Sequence, residues 1–385
     1  MGEFDTTGLS IKVGRPVTQD GAWVGILKKE VGSYSHEISS EFGFDRASIN
    51  FAVNRGDISQ WLNEGLGMDI DVRGLAGEQV WNGFVDSVDV NDGGRKISVG
   101  RLSDLANRIY VTYAQIIEDA VEPIVGEQTS TEDANDYESQ SQYGIWEKAV
   151  SAGSRTTFDA EQIRDTVLAK YAYPTTSYDI SGSSDPTVVL KCLGYYRFLE
   201  AFTYTNFDND EITTDAKLKL VLAASPNGIL STDYTRIALS SAYALTYEDR
   251  YRTGTTIAKE LASFGDASDN TWVFGVYEDR VVSFNVVPGN LDYQHKRGTG
   301  SIVERFGGGP VDPWSVRPGR WLFMPDIILG GEELPIPNTR TQFYSDKRVA
   351  FIERVKYTAP QGFSIQGTRV SKGSQGLARW GLGSL

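Results

Sequence analysis

The sequence predicts an α+β chain that is mainly β: two small tube-like β-barrel domains, a mixed helix and hairpin region inserted between them, and an acidic arm. Three observations support this class. Short alternating runs crowd the first 112 residues and return after residue 300. The stretch between them changes to helical spacing with caps and stops. Composition agrees: 40 Gly, 19 Tyr and 17 Phe stand against 3 Met, a balance that favours strands and tight turns. With 385 residues, 40% of them hydrophobic, the chain can build several modest cores.

Residues 1–112 make the first barrel domain. AWVGILKKEV, SINFAV, MDIDVRGLAG, VWNGFVDSVDV and KISVGRL are short runs broken by turns, as in a small barrel or sandwich. In VWNGFVDSVDV, Val80, Asn82, Phe84, Asp86 and Val88 share one face. Trp81, Val85 and Val90 do not keep strict register, and a bulge near Gly83 accounts for the slip. Asn91-Asp92-Gly93-Gly94 supplies positive-φ residues for a hairpin. RLSDLANRIYV then predicts a short helix capped by Ser103 or Asp104, with Leu102, Leu105, Ala106 and Ile109 on the side that plugs the barrel.

Residues 113–145 read as an arm or linker. Seven acidic residues lie between Glu118 and Asp136 with no basic one among them, a composition suited to a solvated linker or to docking on a neighbouring subunit. Residues 146–300 are the mixed region. In TFDAEQIRDTVLAKYAYP, Asp159 and Gln162 have capping-box spacing, Ile163, Val167 and Tyr171 share a face, and Pro174 stops the helix. VVLKCLGYYRFLEAFTYTN is too long for one strand, so it turns at Gly194 or forms a buried helix. TTDAKLKLVLAASPNG and TTIAKELASFGD are two further helices, and WVFGVYEDRVVSFNVVP is a hairpin turning at Glu278-Asp279.

The second barrel domain spans 301–371, with strands from 186–205 available to complete it, and its last hairpin turns at Ala359-Pro360-Gln361-Gly362. Residues 372–385 form a flexible tail. The expected core is Trp61, Trp81, Phe84, Leu102 and Leu105 in the first domain. In the second it is Trp321, Phe323, Phe351, Ile352 and Phe363. Trp314 and Trp380 are expected at the surface.

Chemistry is sparse. The two histidines, His36 and His295, sit in polar surroundings without partners at motif spacing, and one cysteine, Cys192, reads as a small buried hydrophobe. These cannot make a zinc site of the usual kinds. No nucleophile elbow, Walker loop or dinucleotide fingerprint is present, and Gly307-Gly308-Gly309 runs into Pro310 rather than a helix start. DNDEITTD, from Asp208, has Thr213 where a calcium loop needs Gly and Lys219 where it needs Glu. Asp69 and Asp71 share a strand face with nothing else converging on them by sequence, and an acidic chain offers other carboxylate candidates for a glycosidase reading. No catalytic, metal or cofactor residue is therefore assigned. Net charge is −14 with a pI near 4.8, which disfavours a grip on nucleic acid and suits a surface that DNA slides past. No stretch approaches the roughly 20 apolar residues of a membrane span. MGEFDTTGLS lacks a signal-peptide pattern, so a soluble chain made in the cytoplasm is expected.

GFDRASINFAVNRGDISQWL, the VWNGFVDSV strand, the DLANRI segment and VAFIERVKYTAPQGFSIQGTR together resemble the baseplate hub proteins of tailed bacteriophages, including the late-control hub proteins and the N-terminal parts of tail-associated lysozymes. The likeness covers roughly residues 35–110 and, more loosely, 186–205 and 300–371. It implies two barrels side by side in each chain and a homotrimer that presents six barrels. That ring would adapt the six-fold tail tube to a three-fold spike or fibre and surround a channel for tape-measure protein and then DNA in transit. The implied partners are the tail tube or distal tail protein, the tip spike or fibre and the tape-measure protein, and the implied place is the virion tail tip. Unlike in the lysozyme-bearing members, no hydrolase module is expected after the second β unit. A hexameric distal tail protein and a receptor- or carbohydrate-binding tail protein are the alternatives.

Overall fold

A computed structural model of the chain describes residues 9–16, 23–26, 31–74, 76–117, 124–182, 185–204, 212–244, 252–266, 270, 272–288, 291–296, 303–325, 349–359 and 362–368. The fold is α+β and mainly β, a curled sheet carrying a few helices. Residues 332–340, the tail 372–385 with Trp380, the Pro360-Gln361 turn and the first part of the calcium-like stretch lie outside the described residues.

The first unit contains β1 (Ser10–Pro16), β2 (Trp23–Ile26), β3 (Val31–Ser39), β4 (Gly43–Ala52), helix α1 (Ile58–Glu64), β5 (Met68–Arg73), β6 (Gln79–Asp92) and β7 (Arg95–Gly100). Every residue of β6 from Val80 to Val90 is buried, which is why its alternation reads poorly: both faces are covered. β6 carries two irregularities that flank Gly83: Asp86 is extra opposite β13, where Cys192 faces Val85 while Lys191 faces Ser87, and Val80 is extra opposite β5, where Val72 faces Trp81 while Arg73 faces Gln79. Asp86 is turned to accept the Ser103 N–H at 2.8 Å. Gly83 serves another end, since a Cβ there would lie 2.2 Å from the Leu193 carbonyl oxygen and 2.4 Å from the Trp81 ring. The β6–β7 hairpin turns on Gly93 and Gly94, at φ +56° and +85°.

The plug helix does not form. Leu102–Asp104 is one 3₁₀ turn, and the chain is already extended at Leu105. The physical reason is Asn107, which is fully buried. Its side-chain amide donates to Ser139 Oγ at 3.1 Å and to the Gly144 carbonyl at 2.8 Å, and its Oδ1 accepts the Trp146 N–H at 2.8 Å. Side-chain bonds of this kind compete with helix formation.

The acidic segment is likewise not an arm over its described residues. β8 (Arg108–Ile117) is flanked by β9 (Ile124–Ser130) and β10 (Ala134–Asn135), then helix α2 (Tyr137–Tyr143) leads to β11 (Glu147–Arg155) and helix α3 (Thr157–Tyr171). β9 and β10 pair antiparallel to β8 and β11 pairs parallel to it, making a separate four-stranded sheet. Backbone pairing holds this polar stretch, with Thr131 Oγ1 accepting the Val111 N–H at 3.0 Å and α3 packing Ala160 on Val111 and Tyr113. The cap of α3 is Thr156, which accepts the Asp159 N–H at 3.2 Å, so the helix starts ahead of the Asp159–Gln162 spacing.

Beyond it come β12 (Thr176–Ile180), β13 (Thr187–Leu193), β14 (Thr203–Tyr204), α4 (Thr214–Ala223), β15 (Arg252–Thr253), α5 (Gly254–Phe264), β16 (Trp272–Val276) and β17 (Val282–Val286). β13 inserts between β4 and β6, so these residues complete the first unit and not the C-terminal one. Its Val188, Leu190 and Cys192 point into a core already lined by β4 and β6. After Gly194 a 3₁₀ turn, Tyr195–Leu199, buries Tyr195, Tyr196 and Phe198. Phe84 meets Tyr195, Phe198 and Trp146 with ring centroids at 6.1, 4.8 and 6.2 Å.

The C-terminal strands are β18 (Leu291–His295), β19 (Val303–Arg305), β20 (Trp321–Phe323), β21 (Val349–Ala359) and β22 (Gly362–Thr368). They do not form a separate sheet. β21 pairs antiparallel with β3 from Arg354 opposite Ser39 to Ala359 opposite Tyr34. One sheet therefore runs β19-β18-β20-β21-β3-β4-β13-β6-β5-β1-β2.

Candidate functional site

The residues expected as core fall into two groups. Trp81, Phe84, Leu102 and Leu105 are buried in one large core, with half-buried Trp61 set edge-on to Phe51 at 5.1 Å. Trp321 packs edge-on to half-buried Phe351 at 5.4 Å, in a small cluster that Phe323 borders, while Ile352 belongs to a neighbouring one. The backbone of Phe363 pairs with Tyr357, and its side chain lies outside the described residues.

Between these groups runs a polar seam. β5 alternation puts Asp69 and Asp71 on one face, and both are buried. Asp71 accepts Arg73 Nε at 2.6 Å and Gln79 Nε2 at 2.7 Å. Asp69 takes a short hydrogen bond from the Tyr195 hydroxyl and an ion pair from Arg280 Nη2 at 3.2 Å. Burial pushes the Asp69 carboxyl above its ordinary range, against the pull of Tyr195 and Arg280. Arg280 also stacks its guanidinium 4.7 Å from the centre of the Tyr195 ring. These carboxylates are each held by fixed donors.

Arg280 comes from the β16–β17 turn, where Asp279 and Arg280 stand at φ +56° and +63°. Non-glycine residues in that region carry strain of about 1 kcal/mol or more each. Two contacts to the first unit hold the turn there: the Asp279 N–H donates to Gln79 Oε1 at 2.9 Å, and Arg280 reaches Asp69. Next to them Glu278 accepts Arg236 Nη1 at 2.9 Å and Arg317 Nη2 at 3.0 Å. Burial alone would raise the Glu278 carboxyl, but Arg317 and Arg236 outweigh it and hold it below the carboxylate range.

Two expectations are corrected here. Trp314 is not a surface ring: it is half-buried, donates Nε1–H to Glu78 Oε1 at 2.7 Å and stands edge-on to Tyr357 at 6.0 Å. His36 is not in polar surroundings but 2% exposed on β3, with Nδ1 3.0 Å from the Tyr34 hydroxyl and its ring beside Tyr357 of β21. Burial, helped by the nearby Arg317, lowers its pKa to about 3. Alternation explains it: Tyr34, His36 and Ile38 are the inward face of β3, and polar neighbours in sequence lie on the other. Cys192 is buried, and burial pushes its thiol up.

The seam opens into a cleft of about 540 Å³ between the β16–β17 hairpin and residues 317–320. Arg236, Arg317, Arg320 and Glu278 line it together with Val273, Val286, Pro288 and Pro318. These arginines carry no sequence motif. The only local sign is the turn in RPGR, which carries Arg317 and Arg320, while Arg236 in DYTRI has none. Among the described residues no group of three His, Cys, Asp or Glu side chains is placed to hold a metal ion, and no helix is long and apolar enough to cross a membrane.

No protein family and no curated protein matches the chain. Among solved structures it is similar to the 43 kDa tail protein of prophage MuSo2 from Shewanella oneidensis, at 8% identity over 94% of this chain and 97% of that one, with a TM-score of 0.39. A TM-score that low does not establish a shared fold.

Proposed function

We propose that the chain is a structural protein of a phage tail, and within the tail a baseplate hub that adapts the six-fold tube to a three-fold tip and lines the ejection channel. The observation that carries this reading is the β3–β21 ladder, which joins the C-terminal strands to the first β unit in one continuous sheet; two adjoining β units in each chain are what a hub would need. Open strand edges add to it. Among the described residues β9 and β11 pair only with β8, and β12 pairs only with β7. Such edges are covered by partners in assembled proteins. Asp69 and Asp71 support a non-catalytic reading, since fixed donors already hold both carboxylates.

Native mass across concentration tests the proposal, by light scattering after size exclusion. A species near three times 42.4 kDa supports the trimeric hub. Six copies favour a hexameric distal tail protein, and a strict monomer at the highest attainable concentration counts against self-assembly. Sugar binding in place of assembly would move the reading to a receptor-binding tail protein.

A further inference from the structure

We propose that the cleft between the β16–β17 hairpin and residues 317–320 is a docking site for a carboxylate-bearing segment of a partner protein. The inference does not rest on the tail reading.

Charge is the first argument. In a chain of net charge −14, this cleft gathers Arg236, Arg317 and Arg320 around one carboxylate, Glu278. Glu278 accepts from Arg236 and Arg317. Asp292 makes a long ion pair with Arg320 at 3.9 Å, beyond hydrogen-bond length, so three arginines face two carboxylates. Each guanidinium offers five N–H donors in a planar fork matched to carboxylates. The cleft therefore keeps a positive surplus, and side chains 47%, 25% and 39% exposed leave it reachable.

Preorganisation is the second. Arg317 is fixed by Glu278 at 3.0 Å and by the Trp314 carbonyl at 2.8 Å, and its backbone N–H is bound to the Tyr293 hydroxyl at 3.2 Å. Glu278 in turn fixes Arg236, so much of the ordering cost is met before a ligand arrives.

The walls select the occupant. Val273, Val286, Pro288 and Pro318 are apolar, which suits the stems of Glu or Asp side chains and an extended peptide better than a hydrated inorganic ion. About 540 Å³ holds a few side chains, whereas a duplex is too wide to enter and is repelled by a chain of net charge −14.

The test is fluorescence anisotropy of the full chain with a labelled peptide of alternating Glu and Val. Saturable binding is expected, weakening as salt rises, with no binding of the Gln-Val counterpart. Arg320→Gln should weaken it about tenfold, and Arg320→Lys, which keeps the charge but not the planar fork, should recover only part of that loss. Ser283→Glu places a negative charge in the cleft and should abolish binding even if an arginine variant folds poorly. No saturable binding would overturn the proposal. So would an affinity unchanged by Arg320→Gln or Ser283→Glu, or peptide displaced more readily by a single-stranded oligonucleotide or by inorganic phosphate than by unlabelled peptide.

Discussion

In the first β unit, β6 is covered on both faces and Trp81, Phe84 and Phe51 are each 1% exposed or less. In the C-terminal unit, β18, β20 and β21 enclose two small clusters, and Trp321 at their edge is 9% exposed. The first unit is thus stabilised from within. The second leans on its neighbour, through the β3–β21 ladder, the Arg354–Glu37 ion pair at 2.7 Å and the Trp314–Glu78 bond. Small cores are marginal by themselves, so a unit of this size has to be stabilised by what it is joined to. The contrast teaches that the chain has one structural centre and one dependent part, although both are made of similar strands.

The strongest way to break that contrast is to empty each core. Trp81→Ala should cost about 3–5 kcal/mol and lower the denaturation midpoint of the whole chain. Trp321→Ala should cost about 2 kcal/mol and speed hydrogen exchange in β18, β20 and β21 while leaving β6 protected. Equal losses, or β6 opening in both variants, would show that the two units do not differ in this way.

Asn107→Ala comes next. It removes the clamp between the entry to β8 and the α2–β11 connection, leaving the Gly144 carbonyl and the Trp146 N–H without their side-chain partner. A loss of about 3 kcal/mol is expected, read by urea denaturation. Asn107→Asp should recover little, because a carboxylate cannot donate to Ser139 or Gly144.

Much of the first unit is legible in the chain because its signals are local. Gly93 and Gly94 sit at the turn their type predicts, and Gly265 ends α5 at φ +65°. The β16–β17 hairpin turns on Glu278 and Asp279. What was not legible is long-range. DLANRI has the pattern of a helix, and only the partners of Asn107, at Ser139, Gly144 and Trp146, turn it into a strand entry. β13 reads as a loose apolar run because its place between β4 and β6 is decided by residues that lie about a hundred positions away in sequence. The seam and cleft were hidden for the same reason. Asp69, Arg280 and Tyr195 come from three separate segments, and no spacing announces them.

Acid sharpens the comparison at the junction itself. His36 is buried neutral between Tyr34 and Tyr357 with Arg317 nearby. Its folded pKa of about 3 lies below the ordinary 6.5, so between those values the unfolded chain binds the extra proton. Its contribution to stability is whole above pH 6.5 and is lost as pH falls, by about 2 kcal/mol at pH 5. Asp69 acts with the opposite sign: its raised carboxyl penalises the fold at neutral pH, and that penalty is relieved as pH falls through its folded value. Glu278, held low, loses its contribution as pH falls. The difference between the chain and His36→Gln therefore isolates the histidine. Stability of the variant should decline less between pH 7.5 and 5, and parallel curves would remove His36 from the account.

The smallest effect tests whether the seam assists the ladder or replaces it. Trp314→Phe keeps a ring against Tyr357 and removes only the N–H that Glu78 accepts. Glu78 is half-buried, and the loss of one hydrogen bond with the ring kept in place should cost about 1 kcal/mol. Hydrogen exchange should quicken in β20 and β21 but not in β5 and β6, because the ladder with β3 stays intact. If this single bond cost as much as Trp81→Ala, the dependent unit would be hanging from its seam, and the β3–β21 pairing would be a consequence of docking instead of its cause.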